Sequence, residues 1–596
     1  MKLKRTSPLI IATLLVVFFV INTVPLKTYG QENLRVQNLN TGKNYETIQE
    51  AINAANSGNT IYVRNGTYYE HVVVNKTISL VGENKSNTII DGKGSGNVIS
   101  VSTNNVNIRG FTIQSSGWTI TQSSVYVYHS SGNKISDNIV RNNLYGIHLY
   151  YSGENTVVNN TILDNRYGVS LTSATNNVVS NNNFSNNPDG IWLSFSPYNT
   201  FSRNNISSST FNAVSLSTST DNVFSNNTVL NNNYGFHLTF CGYNTFSNNN
   251  ISKNEQGFSL SGSSYNTISE NNICCNTVCG VWLGASSDNV FVNNIVVNNR
   301  ESFHLETSED NTIYHNNFVN TEADTTQQPS CFDSINFWDN GVEGNYWSSH
   351  NGADENRDGI SDEVYIVDEK NIDNYPLMAN FTQFKIIVDN KVYAIDVVSN
   401  STISTLQYFR YPANGTAVLT FQVNNTGEKG FCRIGVSHTL IEPPYTVVFD
   451  HNASLYSRMV HSNGTHSWLY FMYYYPEYKL IIITVSSQEL PIWYQLWFWT
   501  VIGLMVVTII LFLVVIRYRR ICSEQKKVIE AYELKMRVRE HFGTARAFFE
   551  TDVKRRKNKI KKFETKYHVK IRPLNNVEDI LRMIESKKKE KEKAAN

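Results

Sequence analysis

The sequence predicts an all-β chain: a parallel β-helix of 22–23-residue coils, then an immunoglobulin-like β-sandwich, one transmembrane helix and a helical basic tail. Three observations predict it. A Gly-apolar-x-Leu phrase recurs as Gly146-Ile147-His148-Leu149, then from Gly168, Gly190, Gly235, Gly257 and Gly280, with degenerate copies at Ala213 and Ser302. An Asn-led phrase keeps the same beat at Asn133, Asn155, Asn177, Asn199, Asn222, Asn244, Asn266, Asn289 and Asn311, in steps of 22 or 23 residues. Finally, an apolar run from Ile492 to Ile516 separates the outer part from a strongly basic end. A fixed period of this size is the signature of a solenoid.

The contents of one period decide the kind of solenoid. Each holds two or three runs of three to five residues with alternating apolar positions, too short for ordinary helices. Between the runs lie Asn, Ser, Gly and Asp, which tolerate tight or left-handed corners. Short strands stacking on their copies in the next turn give a parallel β-helix. Asn recurring once per turn can then form amide ladders along the axis. An Asn/Ser-rich disordered tract would not keep its apolar residues in register over about nine periods.

Charge points to two compartments. The net charge of +1 hides a tail, Arg517 to Asn596, with 25 Lys plus Arg against 12 Asp plus Glu, so the tail carries +13 and the remainder −12. Lys2, Lys4 and Arg5 before an apolar run to Ile21 have the layout of a secretory signal over residues 1–30, an uncleaved anchor being the competing reading. The second apolar run defines a membrane helix at 491–516, opened by Trp493, Tyr494, Trp497 and Trp499 and closed by Arg517, Arg519 and Arg520. The positive-inside rule then leaves the N-terminal ectodomain outside and places residues 517–596 in the cytoplasm, against anionic lipid or a cytoplasmic protein. No nucleic-acid motif is present. About fourteen Asn-x-Ser/Thr sequons, Asn65, Asn380 and Asn463 among them, offer glycosylation sites in the outer part. Cys241, Cys274, Cys275, Cys279, Cys331 and Cys432 have no standard zinc spacing and read as disulfides or buried thiols.

Within residues 31–59, Thr47 to Asn56 puts Ile48, Ala51, Ile52 and Ala55 on one helical face, suited to covering the open apolar end of a β-helix. Coils follow over 60–330. The run ETIQEAINAANSGNTIYVRNGTYYEHVVVNKTISLVGENKSNTIIDG, with the repeats after it, resembles the NosD-type, pectin-lyase-like right-handed β-helix proteins of archaeal and bacterial surfaces, over roughly residues 40 to 378. The resemblance implies a right-handed helix. It leaves activity open, because that superfamily includes polysaccharide lyases, hydrolases, epimerases, binding proteins and the copper-site accessory NosD.

Residues 331–378 look like the terminal module of the same group. Inside it Asp354, Asn356, Asp358, Ile360 and Asp362 stand at alternate positions around Gly359, as at the start of a Ca²⁺ loop, with Ile360 supplying a carbonyl. Tyr365 stands where an EF-hand has its bidentate Glu. From 379 to 488 alternation switches to about seven strands with Asn-Gly and Pro corners, the pattern of an immunoglobulin-like stalk.

Candidate chemistry lies in the x of Gly-apolar-x-Leu. Side chains alternate across a strand, so x faces outward when its neighbours face in. Along the stack x reads His148, Ser170, Trp192, Ser215, His237, Ser259, Trp282 and His304. Rings in alternate coils repeat at about 9 to 10 Å, the scale of a disaccharide. This column is expected to be a water-facing binding track for a polysaccharide or surface glycoprotein. The competing reading is that large and small residues alternate only because neighbouring rings would crowd. A carbohydrate-active enzyme needs converging carboxylates, and no two carboxylates occupy matching slots of neighbouring coils with a base beside them. Copper handling would need close His ligands; His148 and His237 lie four coils apart, while His304, His315 and His350 are candidates to approach one another.

Overall fold

The computed structural model describes residues 35–320, 328–411, 416–424, 429–449, 452–453, 456–474 and 479–485. The expected signal segment, membrane span and basic tail lie outside these residues. Among the described residues no helix is long and apolar enough to cross a membrane.

The repeats wind into a parallel β-helix whose coils each give one strand to three sheets, of 14, 13 and 12 strands. Pairing is parallel and in register: Val157 stands beside Val179, and Ile147 beside Val169. Inward residues such as Ile147, Leu149, Val157 and Ile162 are wholly buried and join one continuous core. Phenylalanines stack along it, Phe201 on Phe224 at 4.6 Å and Phe224 on Phe246 at 5.0 Å between ring centroids. The corners explain the Asn-rich composition: Asn159, Asn181 and Asn226 hold φ near +57°, a region that Asn tolerates better than most residues. The glycine of the repeated phrase has its own reason, since a Cβ on Gly168 would collide with the Gly190 carbonyl of the next coil.

One Asn ladder per turn was expected, and three are present. They run through Asn155, Asn160 and Asn165 at five-residue spacing, each accepting from the backbone N–H of the coil before. Within the middle ladder Asn182 donates to Asn204 (3.1 Å) and Asn204 to Asn227 (3.1 Å), all buried. Buried amides are stable here because donors and acceptors are satisfied together. Cys241 occupies a similar buried Ser column, accepting from Ser219 N–H at 3.3 Å while its own N–H donates to Ser263 Oγ at 3.0 Å.

The N-terminal helix is shorter than the pattern suggested, Ile48–Ala54, with Thr47 as N-cap in a capping box with Glu50. Ile48, Ala51 and Ile52 bury against the first coil. At the far end Trp347 stacks between Phe318 and Tyr365, at 4.2 Å on each side, and closes the core. Beyond it two five-stranded antiparallel sheets enclose a second core around Phe421, Ile434 and Phe471. That makes ten strands among the described residues rather than about seven. The Asp389-Asn390 turn, both residues with φ near +55°, divides two strands as the alternation indicates, and the additional strands include Thr402–Arg410, Lys429–Ser437 and Tyr456–Ser462.

Candidate functional site

The x residues do form one column on the outer face of the 12-stranded sheet. Register places His148 beside Ser170, Ser170 beside Trp192, Trp192 beside Ser215 and Ser215 beside His237. It continues through Ser259, Trp282 and His304. Their inward neighbours Val169, Leu171, Ile191 and Leu193 are fully buried in the core, so the column lies on the opposite face.

The expectation that the whole column faces water is corrected. His148 is only 4% exposed, and Ser170, Ser215 and Ser259 are buried; Trp192, His237, Trp282 and His304 are half-buried. The cause is a pair of flanking columns that the Gly-apolar-x-Leu phrase does not show. Tyr145 and Tyr150, flanking His148 on its own strand, pack on it at 4.7 Å and 5.6 Å, and Tyr126, which precedes it in the same column, lies at 5.5 Å. Tyr167 lies 5.7 Å from Trp192, and Tyr234 5.3 Å from His237. The signal was present in the sequence as Tyr immediately before Gly at 145, 167 and 234.

These rings leave polar atoms buried without a partner: His148 Nδ1, Ser170 Oγ, His237 Nδ1 and Gln256 Oε1. The other imidazole nitrogen of His148 stands 3.1 Å from Thr172 Oγ1. Burial pushes the His148 imidazole down to about 4, so it is neutral at ordinary pH. Burial also lowers His237, with Asp189 opposing. One ion pair borders the column: Arg166 bonds Asp189 at 2.8 Å and covers the rings of Tyr167 and Phe211.

Other candidates separate. His304 contacts Glu301 and Ser330, His315 bonds Glu343 at 2.7 Å, and His350 bonds Ser361 at 2.8 Å. Of the two readings of these three histidines, a shared ligand set or isolated side chains, the structure shows the second, each having a carboxylate or hydroxyl partner of its own. Among the described residues no group of three or more His, Cys, Asp or Glu is placed to hold a metal. In the acidic loop, Asp354 accepts from the N–H groups of Asp358 and Gly359, and Asp362 from Glu355 N–H and Asn356 Nδ2. Asp358 accepts from Ile360 N–H. Asp354 is pushed up by burial, with the Asp358 and Asp362 charges adding to it. Cys274 and Cys275 are joined to each other, while Cys241, Cys279 and Cys432 are buried thiols.

Comparison with known proteins agrees with the winding. Residues 29–196 and 123–273 match the family described as right handed beta helix region, and residues 210–352 match the periplasmic copper-binding protein NosD. A cell surface glycoprotein of Methanothermus fervidus is 34% identical over 110 residues, which is 18% of this chain and 17% of that protein. Among solved structures, the Dettilon tailspike protein is 13% identical with a TM-score of 0.37, covering 73% of this chain and 89% of its own. The A-module of mannuronan C-5 epimerase AlgE4 from Azotobacter vinelandii is 17% identical with a TM-score of 0.33, covering 48% and 89%. The chain is a NosD-like right-handed parallel β-helix repeat protein.

Proposed function

We propose that this is an extracytoplasmic, membrane-anchored β-helix protein that binds a polysaccharide or a glycosylated surface partner along its outer ring column. One observation carries the reading: half-buried rings at Trp192, His237 and Trp282 alternate in register with the small hydroxyls of Ser215 and Ser259, and Ser170 Oγ beside Trp192 and His237 Nδ1 are buried without partners. Burying such atoms is costly unless a ligand satisfies them, and a sugar supplies both a C–H face for stacking and hydroxyls for bonding. The match to a cell surface glycoprotein supports an exterior location. In this reading residues 1–30 direct export, 491–516 anchor the chain, and 517–596 lie on anionic lipid or a cytoplasmic protein.

The test is a glycan array with the full-length protein and with the Trp192→Ala/Trp282→Ala double variant. Retention should fall about tenfold or more with little change in thermal midpoint. Unchanged retention by the double variant removes the column from the mechanism. Ca²⁺ at the 354–362 loop is part of the proposal; a thermal midpoint indifferent to calcium and to EDTA would remove it. A copper-handling role has the NosD match in its favour, but His304, His315 and His350 do not fit a shared copper site as they stand.

A further inference from the structure

The corner that follows the ring column carries a second row of rings. Phe195, Phe240 and Tyr151 occupy the third position after x, and Tyr198, Tyr243 and Tyr265 the position before the ladder Asn. All six hold a left-handed backbone, with φ from +47° at Tyr151 to +62° at Tyr265. Bulky side chains adopt that region at a cost. All six are also exposed, from 50% at Tyr151 to 68% at Phe240.

Neither feature is required by the winding. Other coils fill the same two slots with Ser173, Thr218, Asn176 and Asp221, which hold the same left-handed φ. A ring placed where strain and exposure both oppose it points to a function rather than to packing. The rings accompany the rings of the column in two coils, whereas Tyr265 shares its coil with Ser259 and the coil bearing Trp282 has Ala285 and Asp288. The coil bearing Trp192 bears Phe195 and Tyr198, and the coil bearing His237 bears Phe240 and Tyr243. The coil between them has Ser215, Thr218 and Asp221. At the strand spacing Phe195 and Phe240, two coils apart, stand about 9 to 10 Å from each other, while Tyr243 and Tyr265 on adjacent coils stack at 5.2 Å.

We propose that this corner ridge is a second stacking surface for an uncharged polysaccharide lying along the solenoid axis; the proposal extends the reading of the column and rests on it for the ligand class. The pattern fits sugar better than protein, because the rings form small groups, Tyr243 stacked on Tyr265 at 5.2 Å among them, set apart by coils that carry Ser173 and Asn176 or Thr218 and Asp221 rather than merged into the apolar centre of an interface. It also disfavours an anionic polymer, since the charged residues in these slots, Glu154, Asp221, Asp288 and Asp310, are all acidic.

The experiment compares the full-length wild type, Phe195→Asn/Phe240→Asn and Trp192→Ala/Trp282→Ala on immobilised β-glucan, mannan and chitin, with alginate as the anionic control. Asn suits the backbone at both ridge positions, so a binding role predicts retention on neutral polymer about tenfold weaker with the thermal midpoint equal or raised. A fall in the midpoint would show the rings to be structural. If the ridge variant binds like wild type while the column variant fails, the ridge is wrong and the column stands; if only the ridge variant fails, the ridge stands alone. Preference for alginate, lost in salt, overturns the ligand class. Self-association of the wild type that the ridge variant lacks assigns the ridge to a second copy of the chain instead. Wild type retained by none of the polymers overturns both surfaces.

Discussion

The Phe240 ring lies across Gly262 of the next coil, so that a Cβ on Gly262 would stand 2.8 Å from two ring carbons. The small residue of one coil makes room for the ring of its neighbour. Gly262 also has φ of +56°. Gly262→Ala should therefore destabilise the protein by about 1–2 kcal/mol and displace the ring. Urea titration followed by Phe and Tyr fluorescence measures it, and no loss of stability would mean that the ring moves freely.

His148 links stability to acid pH. Its imidazole is at about 4 in the folded chain against 6.5 in the unfolded one. A depressed value means that its contribution is present in full above pH 6.5 and is lost as pH falls toward 4, with an upper limit on the order of 3 kcal/mol. Asp373 acts oppositely over this window: burial raises it to about 7, so its contribution is lost as pH rises. The informative quantity is thus the difference between wild type and His148→Gln. That difference should shrink between pH 7 and pH 4 in thermal unfolding; a constant difference contradicts the burial of the ring.

Glu343 joins the end of the solenoid to the sandwich. Its carboxylate accepts from Arg433 Nε at 3.0 Å and meets His315 Nε2 at 2.7 Å, and all three groups are nearly inaccessible. Burial alone would raise its pKa, but the His315 hydrogen bond and the Arg433 and His315 charges hold it at about 2. Glu343→Gln leaves the Arg433 cation buried without its counter-charge, a loss of about 3–5 kcal/mol. Limited proteolysis near residue 380 should accelerate in the variant. The wild-type contribution is complete above pH 4.5 and disappears as pH falls toward 2.

Asn204 tests the ladders. It accepts from Asn182 N–H and Nδ2 and donates to Val179 and Asn227. Asn204→Leu orphans buried groups on both neighbouring coils and should cost about 2–5 kcal/mol. Asn205→Ser, one residue away and exposed, should cost less than about 0.5 kcal/mol. Equal effects in circular-dichroism melts would refute the ladder argument.

Much of this was legible because a solenoid contacts itself only at one fixed offset. The period gave the coil, and the Gly-apolar-x-Leu phrase gave both the buried residues and the face of the column. The burial of His148 was only partly legible: Tyr145 and Tyr150 stand on its own strand and Tyr126 on the strand of the coil before, but the sequence does not say that all three rings turn onto the imidazole. The separation of His304, His315 and His350 was likewise hidden, since proximity in the sequence does not say which way each ring turns.

The sequence by itself determined the winding, its register and the side of the coil on which each residue lies, because alternation along a strand and repetition between coils are both local. Tertiary structure alone decided which outward residues meet water, how Glu343 finds Arg433 90 residues away, and which corners carry rings in a left-handed backbone. Those outcomes depend on how separate side chains share space in three dimensions, and no periodicity encodes that.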